Sequence, residues 1–444
     1  GLTLECAMPK DADWTTCETW KECRMVDFAC GSGSLLIAML TEMKRRAVAQ
    51  GADSHQISKL QKLAVEEIIC GLDINPVSLQ LAASQLTAGN MDVVYRRMCL
   101  YLMEYGTSPK TGRTSAGSLE LLANSRILER KYELKLEDEN SASQRMQTGP
   151  NFGDKPEHEN IMNDVLNTRI AIMNPPFTNR SKMGEKFPSD EKKALRRRGD
   201  ALFRCLEGTV LGNCDVGNTV HPMFITLADA CLVDNGVMAF VCPTIALTAP
   251  SGLEERIALA SNYNVHTVLV SVATGQRNMS NGTDIDEALV VLSKKTPNET
   301  FDLPTRVIML DRFPADLKES SELLERILEV EETDIIRDGW GEVSWWPSER
   351  IKVGDWGAVC FRQQKLREFA NDCLTGLKGA LTPLASDYGI SNSEGGGGEK
   401  PVENWSKPLR QYLPKASGQV LRGGPYLRQP KKNSTETISG QKHD

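Results

Sequence analysis

The chain has 444 residues, 40% of them hydrophobic and 25% charged, a make-up that excludes collagen-like, mucin-like and wholly disordered polypeptides. At roughly 150 residues per domain, this length corresponds to about three units, or to one large domain with appendages. Lysine and arginine number 52 against 59 aspartates and glutamates, a formal net charge of −7 that excludes a histone-like binder and leaves a localised basic face as the route to nucleic acid.

Residues 24–93 predict strand, glycine turn, long helix, strand and helix. Met25-Val26-Asp27-Phe28 is a short buried-strand pattern that runs into Ala29-Cys30-Gly31-Ser32-Gly33-Ser34, after which Leu35, Leu36, Ala38, Met39 and Leu40 begin a helix. A second strand occupies 68–73. Asn75-Pro76 then opens another helix carrying Val77, Leu79, Leu81, Ala82 and Leu86, with proline where a missing N–H costs nothing. Strands alternating with helices imply crossover units and a parallel sheet. Residues from about 105 to 165 are polar and read as loop or insertion rather than core. The pattern resumes with a strand at 170–173, the turn Asn174-Pro175-Pro176-Phe177, a charged stretch to Gly199 and a helix at about 222–233. Strands follow at 237–241, 265–271, 288–293 and 306–310, giving about seven in one α/β domain. Beyond them, 317–330 predicts an acidic amphipathic helix, and Trp340, Trp345, Trp346 and Trp356 read as a small hydrophobic subcore. Four glycines at 395–398 make a linker ahead of a basic tail.

The longest apolar run, 237–249, is broken by Pro243 and Thr244 and falls short of the ~20 residues a bilayer requires. No basic-then-apolar signal opens the chain, so a cytoplasmic protein without a membrane partner is expected. The 12 cysteines include no Cys-x-x-Cys pair, and Cys70, Cys231 and Cys242 lie in apolar runs, as reduced thiols do. Cys6, Cys17 and Cys23 match no common zinc spacing, and no metal is expected.

Three features carry chemistry. Asp27-Phe28-Ala29-Cys30-Gly31-Ser32-Gly33 follows a strand and opens a helix, where glycine lets a ligand approach the backbone and the helix N-terminus favours negative charge. The turn is neither a dinucleotide fingerprint, because Leu35, Leu36 and Ile37 stand where a third glycine would, nor a phosphate-binding P-loop, having no Gly-Lys-Ser/Thr. Asp73, at the end of the second strand, is placed either to accept hydrogen bonds from both hydroxyls of a ribose or, like Asn75, to cap the next helix. Asn174-Pro175-Pro176-Phe177 comes directly after a strand, at the carboxyl edge where doubly wound sheets hold their ligands. Its prolines fix the backbone and remove two donors, leaving carbonyls and the asparagine oxygen as acceptors beside the flat face of Phe177. That set suits an exocyclic amino group and the ring that carries it.

With these residues the chain resembles the S-adenosylmethionine-dependent DNA adenine-N6 methyltransferases, in the arrangement that places the cofactor motif before the catalytic Asn-Pro-Pro-Phe. The likeness covers roughly residues 24–295 and includes the helix and strand of 224–243 and the late strand of 286–295. The long insert after the first helix resembles the large methylases of restriction-modification and phage-defence systems. The resemblance implies an α/β, Rossmann-like class I methyltransferase sheet of about seven mostly parallel strands, with helices on both faces and a C-terminal extension. Its domains would be an N-terminal remnant (1–23), a catalytic domain (24–310, polar insertion at about 105–165), a helical and Trp-rich extension (311–392), and a Gly-rich linker with a basic tail (393–444) that would start a target-recognition region. S-adenosyl-L-methionine is the implied cofactor, and DNA, with a restriction or specificity subunit, the implied partner.

Carried over residue by residue, Asp27, Ala29, Cys30, Gly31, Ser32 and Gly33 would form the cofactor loop, with Gly31 and Gly33 lining the methionine part and Asp27 supporting the turn. Asp73 would take the ribose hydroxyls, Ile74 would pack on the cofactor adenine, and Ser118 would stand where the family often has an acidic residue for that adenine. Asn174 and the Pro175 carbonyl would accept from the target N6 amino group, Pro176 would stiffen the turn, and Phe177 would stack on an adenine flipped out of the duplex. Phe28 replaces a proline common in the family. Only about 24 residues precede the cofactor strand, no motif for the methionine carboxylate is found there, and the chain starts at Gly1, so an N-terminally truncated fragment is expected.

After Phe177 come Arg180, Lys182, Lys186, Lys192, Lys193, Arg196, Arg197 and Arg198 against Glu185, Asp190 and Glu191, a phosphate-contacting loop or else a solvated helix face. Arg180, Lys182, Arg196, Arg197 and Arg198 are the candidates for DNA contact. Two further enzyme readings are methylation of an RNA adenine or of a protein glutamine. The glutamine enzymes usually carry tyrosine after the prolines, and no RNA-binding module is recognisable. A reading of another class is a catalytically silent DNA-binding or specificity subunit that keeps the fold.

Overall fold

Apolar strand segments pair side by side in the computed structural model, which describes residues 1–356 apart from 91, 124–157, 213, 215–218, 274–278, 281–284, 297–302, 333 and 355. The strands are β1 (Met25–Asp27), β2 (Ile69–Asp73), β3 (Cys99–Leu102), a separate hairpin of β4 (Tyr105–Thr107) and β5 (Thr114–Ala116), then β6 (Thr168–Met173), β7 (Leu232–Pro243), β8 (Tyr263–Ser271), β9 (Glu287–Lys294), β10 (Thr305–Leu310), β11 (Ile336–Asp338) and β12 (Gly341–Trp346). Among the described residues ten of them form one sheet in the order β3-β2-β1-β6-β7-β9-β8-β10-β12-β11. Strands β3, β2, β1, β6 and β7 are parallel, and β9 runs antiparallel between β7 and β8. With the small hairpin set aside, the first seven sheet strands stand in the order 3-2-1-4-5-7-6 with the seventh reversed. This is the Rossmann-like, mostly parallel α/β sheet with helices on both faces that the sequence leads one to expect.

Strand side chains alternate between the two faces, as period-two geometry requires. Met25, Ile69, Leu100 and Ile170 enter one core cluster, and Val26, Cys70, Tyr101 and Ala171 enter the other. Onto the first face packs the Ser34–Ala49 helix, whose buried Leu36, Met39, Leu40, Met43 and Ala47 recur every three or four residues in one stripe. The Pro76–Ala88 helix joins it through Leu79, Ala82 and Leu86, with Pro76 in its first turn. The His221–Cys231 helix, buried along its whole length, belongs to the opposite face.

The structure departs from the sequence reading in several places, each for a local reason. Strands β3, β11 and β12 add to the expected seven, because β3 is four residues long and β12 interrupts its apolar residues with Glu342 and Ser344. Strand β12 pairs with β10 along all six of its residues, so the sheet continues past residue 310 into the stretch read as an extension. The residues read as an N-terminal remnant supply Leu4, Trp14 and Trp20 to the first core cluster. The ends of the polar stretch are core rather than loop: Leu119, Leu121, Leu122, Ile161 and Val165 are buried, single apolar residues that a composition average hides. Trp346 and Trp356 join the main core while Trp340 and Trp345 flank a third cluster, so the four tryptophans form no single subcore. The rest of the polar insertion, the Gly-rich linker and the basic tail lie outside the described residues. No helix among the described residues is long and apolar enough to cross a membrane.

Candidate functional site

Strands β1, β2 and β6 run in one direction, and β1 stands between the other two. From β1 the sheet grows through β2 and β3 on one side and through β6 and β7 on the other, so the ends of β1 and β6 flank a topological switch point, where open α/β sheets hold ligands. The expected cofactor loop and the Asn174 turn leave the sheet at these two ends.

Gly31 and Gly33 both take positive φ, 53° and 81°. A Cβ on Gly33 would lie 2.9 Å from that of Ala82, so the turn is pressed against the neighbouring helix there. A Cβ on Gly31 would meet nothing within 4 Å, which leaves that side of the turn open. The Gly31 N–H donates to Asp73 Oδ2 at 2.8 Å, and the Asn75 N–H donates to Asp73 Oδ1 at 2.8 Å. Asp73 thus ties the end of β2 to the turn after β1. It does not cap the following helix; Asn75 does, its Oδ1 accepting from the N–H groups of Val77 and Ser78. Each Asp73 oxygen, having accepted one donor, keeps a second lone pair.

Asp27 is buried beneath the turn and accepts from the Ala29 N–H at 2.9 Å. Burial pushes its carboxyl up to about 8, against the pull of the Ala29 hydrogen bond and with a further push from the Asp73 charge. Burial, and then Asp27 and Asp73, push the Cys30 thiol far above the ordinary range, so it stays protonated and serves as packing. Ala29 and Ser32 are half-buried in the same turn. Ile74 is 47% exposed, an apolar side chain held in solvent beside the turn. A Cβ on Gly117 would lie 2.7 Å from Ile74 Cγ2, which brings the Gly117-Ser118 backbone against it, with Ser118 buried. Nearby Glu120 is the acidic residue of this segment, and it accepts from the Ala116 N–H at 2.8 Å and from both Nε and Nη2 of Arg198.

Asn174 is half-buried just past β6, and its Nδ2 donates to Ser280 Oγ at 2.7 Å. Among the described residues nothing donates to its Oδ1. Pro175 is buried, Pro176 exposed and Phe177 half-buried. Ser280 and Met279 in turn donate their backbone N–H groups to Glu287 Oε2, at 2.7 and 2.6 Å. Sequence reasoning missed Ser280 and Glu287; the available signal was an acidic residue opening the otherwise apolar run Ala288-Leu289-Val290-Val291-Leu292.

The basic stretch after Phe177 is mostly the Ser189–Arg204 helix rather than a loop, with Leu195, Gly199 and Leu202 on its buried face. Arg198 is taken up by Glu120 inside the fold, and the Arg180 guanidinium lies 3.4 Å from the centroid of the Phe203 ring, so neither faces outward as a phosphate contact would. Lys182 and Arg197 are exposed and Arg196 half-buried.

No family model and no curated protein matches the chain. Solved structures do. It is similar to a nuclease-deletion mutant of the Type ISP restriction-modification enzyme LlaGI in complex with a DNA substrate mimic, at 16% identity and a TM-score of 0.43 over 77% of this chain and 25% of that one. It is similar to the type I restriction-modification system methyltransferase subunit from Streptococcus thermophilus, at 17% identity and 0.39 over 79% and 57%, and to the type IIG restriction endonuclease BpuSI, at 15% and 0.41 over 80% and 31%. The chain therefore spans between a quarter and just over half the length of these three proteins.

Proposed function

We propose that the chain transfers a methyl group from S-adenosylmethionine to the N6 amino group of an adenine flipped out of DNA, within a restriction-modification or phage-defence system. The observation that carries this reading is the pairing, on the two sides of one switch point, of a carboxylate-braced glycine turn with an asparagine whose amide oxygen is left to accept.

The residues fit the cofactor. Asp73 keeps a lone pair on each oxygen for two vicinal hydroxyls, the open side of Gly31 admits a close approach to the backbone, and exposed Ile74 offers an apolar face to a base. When bound, the cofactor supplies an electrophilic methyl group, and the C–S electron pair stays on sulfur as the new N–C bond forms. On the target side, Asn174 Oδ1 and the Pro175 carbonyl accept the two amino hydrogens, which draws the nitrogen toward sp³ geometry and frees its lone pair. The half-buried Phe177 ring holds the base, and the amino group then gives up one hydrogen as a proton to solvent. Rate enhancement comes from alignment and oriented dipoles. Lys182, Arg196 and Arg197 contact phosphate, and a restriction or specificity subunit completes the assembly.

The test is methyl transfer from labelled cofactor to unmethylated DNA, RNA and protein, with Asn174→Ala beside the wild type. Label is expected on adenine N6 in DNA, and Asn174→Ala should slow transfer by about 10²–10³-fold, the scale for losing one aligned dipole at a reacting centre. Equal labelling by both proteins would remove Asn174 from the reaction. Label in RNA or protein alone would overturn the substrate class.

A further inference from the structure

An asparagine amide presents an oxygen and an NH₂ group of nearly the same shape, so shape alone does not decide which end faces a ligand. For Asn174 the choice is decisive. Its oxygen can accept from an amino group, whereas its NH₂ would set donor against donor. A fixed acceptor on the Nδ2 side is therefore as necessary to the site as the asparagine itself.

We infer that Ser280 is a positioning residue that sets the orientation of the Asn174 amide, an inference that rests on the reading of Asn174 as the acceptor of the target amino group. Ser280 Oγ accepts from Asn174 Nδ2 at 2.7 Å, which turns Oδ1 the other way. Ser280 is itself held from beneath. Glu287 Oε2 receives the N–H groups of both Met279 and Ser280, and Glu287 is 0% exposed at the first position of β9. Burying a carboxylate is costly unless hydrogen bonds offset it, and here two consecutive backbone donors close on Oε2, while Oε1 is buried with no partner among the described residues. Glu287 in turn sits opposite Pro243 in the sheet, and the Asp286 carbonyl accepts from the Thr244 N–H. The sheet edge thus fixes Glu287, Glu287 fixes the Ser280 backbone, and the Ser280 hydroxyl fixes the amide.

The experiment combines rates with a measurement that does not depend on turnover. In single-turnover methyl transfer to DNA, Ser280→Ala should lower the rate about tenfold, the worth of one hydrogen bond to a reacting group, with cofactor affinity and DNA affinity unchanged. Ser280→Thr, which keeps the hydroxyl, should restore the rate. In an Asn174→Asp background the side chain has an oxygen at both ends and orientation no longer matters, so Ser280→Ala should add no further loss. An equal loss in both backgrounds would show that Ser280 acts on something other than the amide and would overturn the inference. The side-chain amide protons of Asn174, identified in nitrogen-15 spectra by their disappearance in Asn174→Asp, should exchange with solvent faster in Ser280→Ala than in the wild type. Unchanged exchange would overturn the inference whatever the enzyme methylates, whereas normal exchange effects without label in DNA would count against the proposed reaction alone.

Discussion

Asp27 holds a carboxyl inside the fold, and this makes stability depend on pH in a defined direction. Its proton is retained to about 8 in the folded chain and leaves near the ordinary 3.8 in the unfolded one. Between those values the folded state binds more protons, so stability contributed by the protonated group is full at low pH, declines as pH rises from about 4, and levels off above about 8. Asp27→Asn keeps an oxygen for the Ala29 N–H and has no charge to bury. It should flatten this slope and stabilise the protein at pH 8 relative to wild type by on the order of a few kcal/mol, as followed by denaturant unfolding at pH 5 and pH 8. Parallel slopes for the two proteins would place the pH dependence elsewhere. The neighbouring Asp73 shows how far residue type alone can be read. An acidic residue ending a strand is equally good as ribose acceptor or helix cap, and only the presence of Asn75 two positions on, with its oxygen on the N–H groups of Val77 and Ser78, releases Asp73 from capping.

The Ser189–Arg204 helix is clamped to the β4–β5 hairpin and the segment after it. Glu191 Oε1 accepts from the Thr107 N–H at 2.7 Å, and Arg198 makes a forked pair with Glu120, their side chains 19% and 11% exposed. Removing one member of a mostly buried pair strands the other charge. Arg198→Ala should therefore destabilise by about 3–5 kcal/mol, and Arg198→Met with Glu120→Gln, which removes both charges and keeps an oxygen for the Ala116 N–H, by much less. Chemical denaturation of the three proteins measures this, and a cost below about 1 kcal/mol for Arg198→Ala would show that water reaches Glu120 as it does an exposed pair. The charge excess of this stretch was legible in sequence, but the direction of each charge was not. Leu195, Gly199 and Leu202 carry a helical stripe, yet three consecutive arginines lie within it, and a count of charges cannot tell Arg197 in solvent from Arg198 turned inward.

On the scale of the whole molecule, the legible parts are those in which an uninterrupted apolar run ends in a turn, as β1, β2 and β6 do. The glycine turn of 29–33 and the Asn174-Pro175-Pro176-Phe177 turn leave the sheet at the switch point these strands define. Illegible were elements whose partners are distant in sequence: β3 lies behind Arg96 and Arg97, and β12 is specified by its six-residue pairing with β10 rather than by its own pattern. A chain ended at 310, where the sequence placed a domain boundary, would bare the edge of β10 and remove Trp346, Ile351 and Trp356 from the core. It should aggregate or melt well below a chain ended at 356, measured by thermal unfolding and light scattering, and equal melting temperatures would restore the boundary. The reversal of β9 has a further consequence. A strand parallel to β7 would begin at the far edge of the sheet, and whatever precedes it would arrive there. Running the other way, β9 begins level with Pro243. Asp286 and Glu287 therefore enter the sheet at the same end as the turn at Asn174, with the Asp286 carbonyl taking the Thr244 N–H, so the antiparallel direction of one strand is what brings Ser280, seven residues before Glu287, within reach of the Asn174 amide.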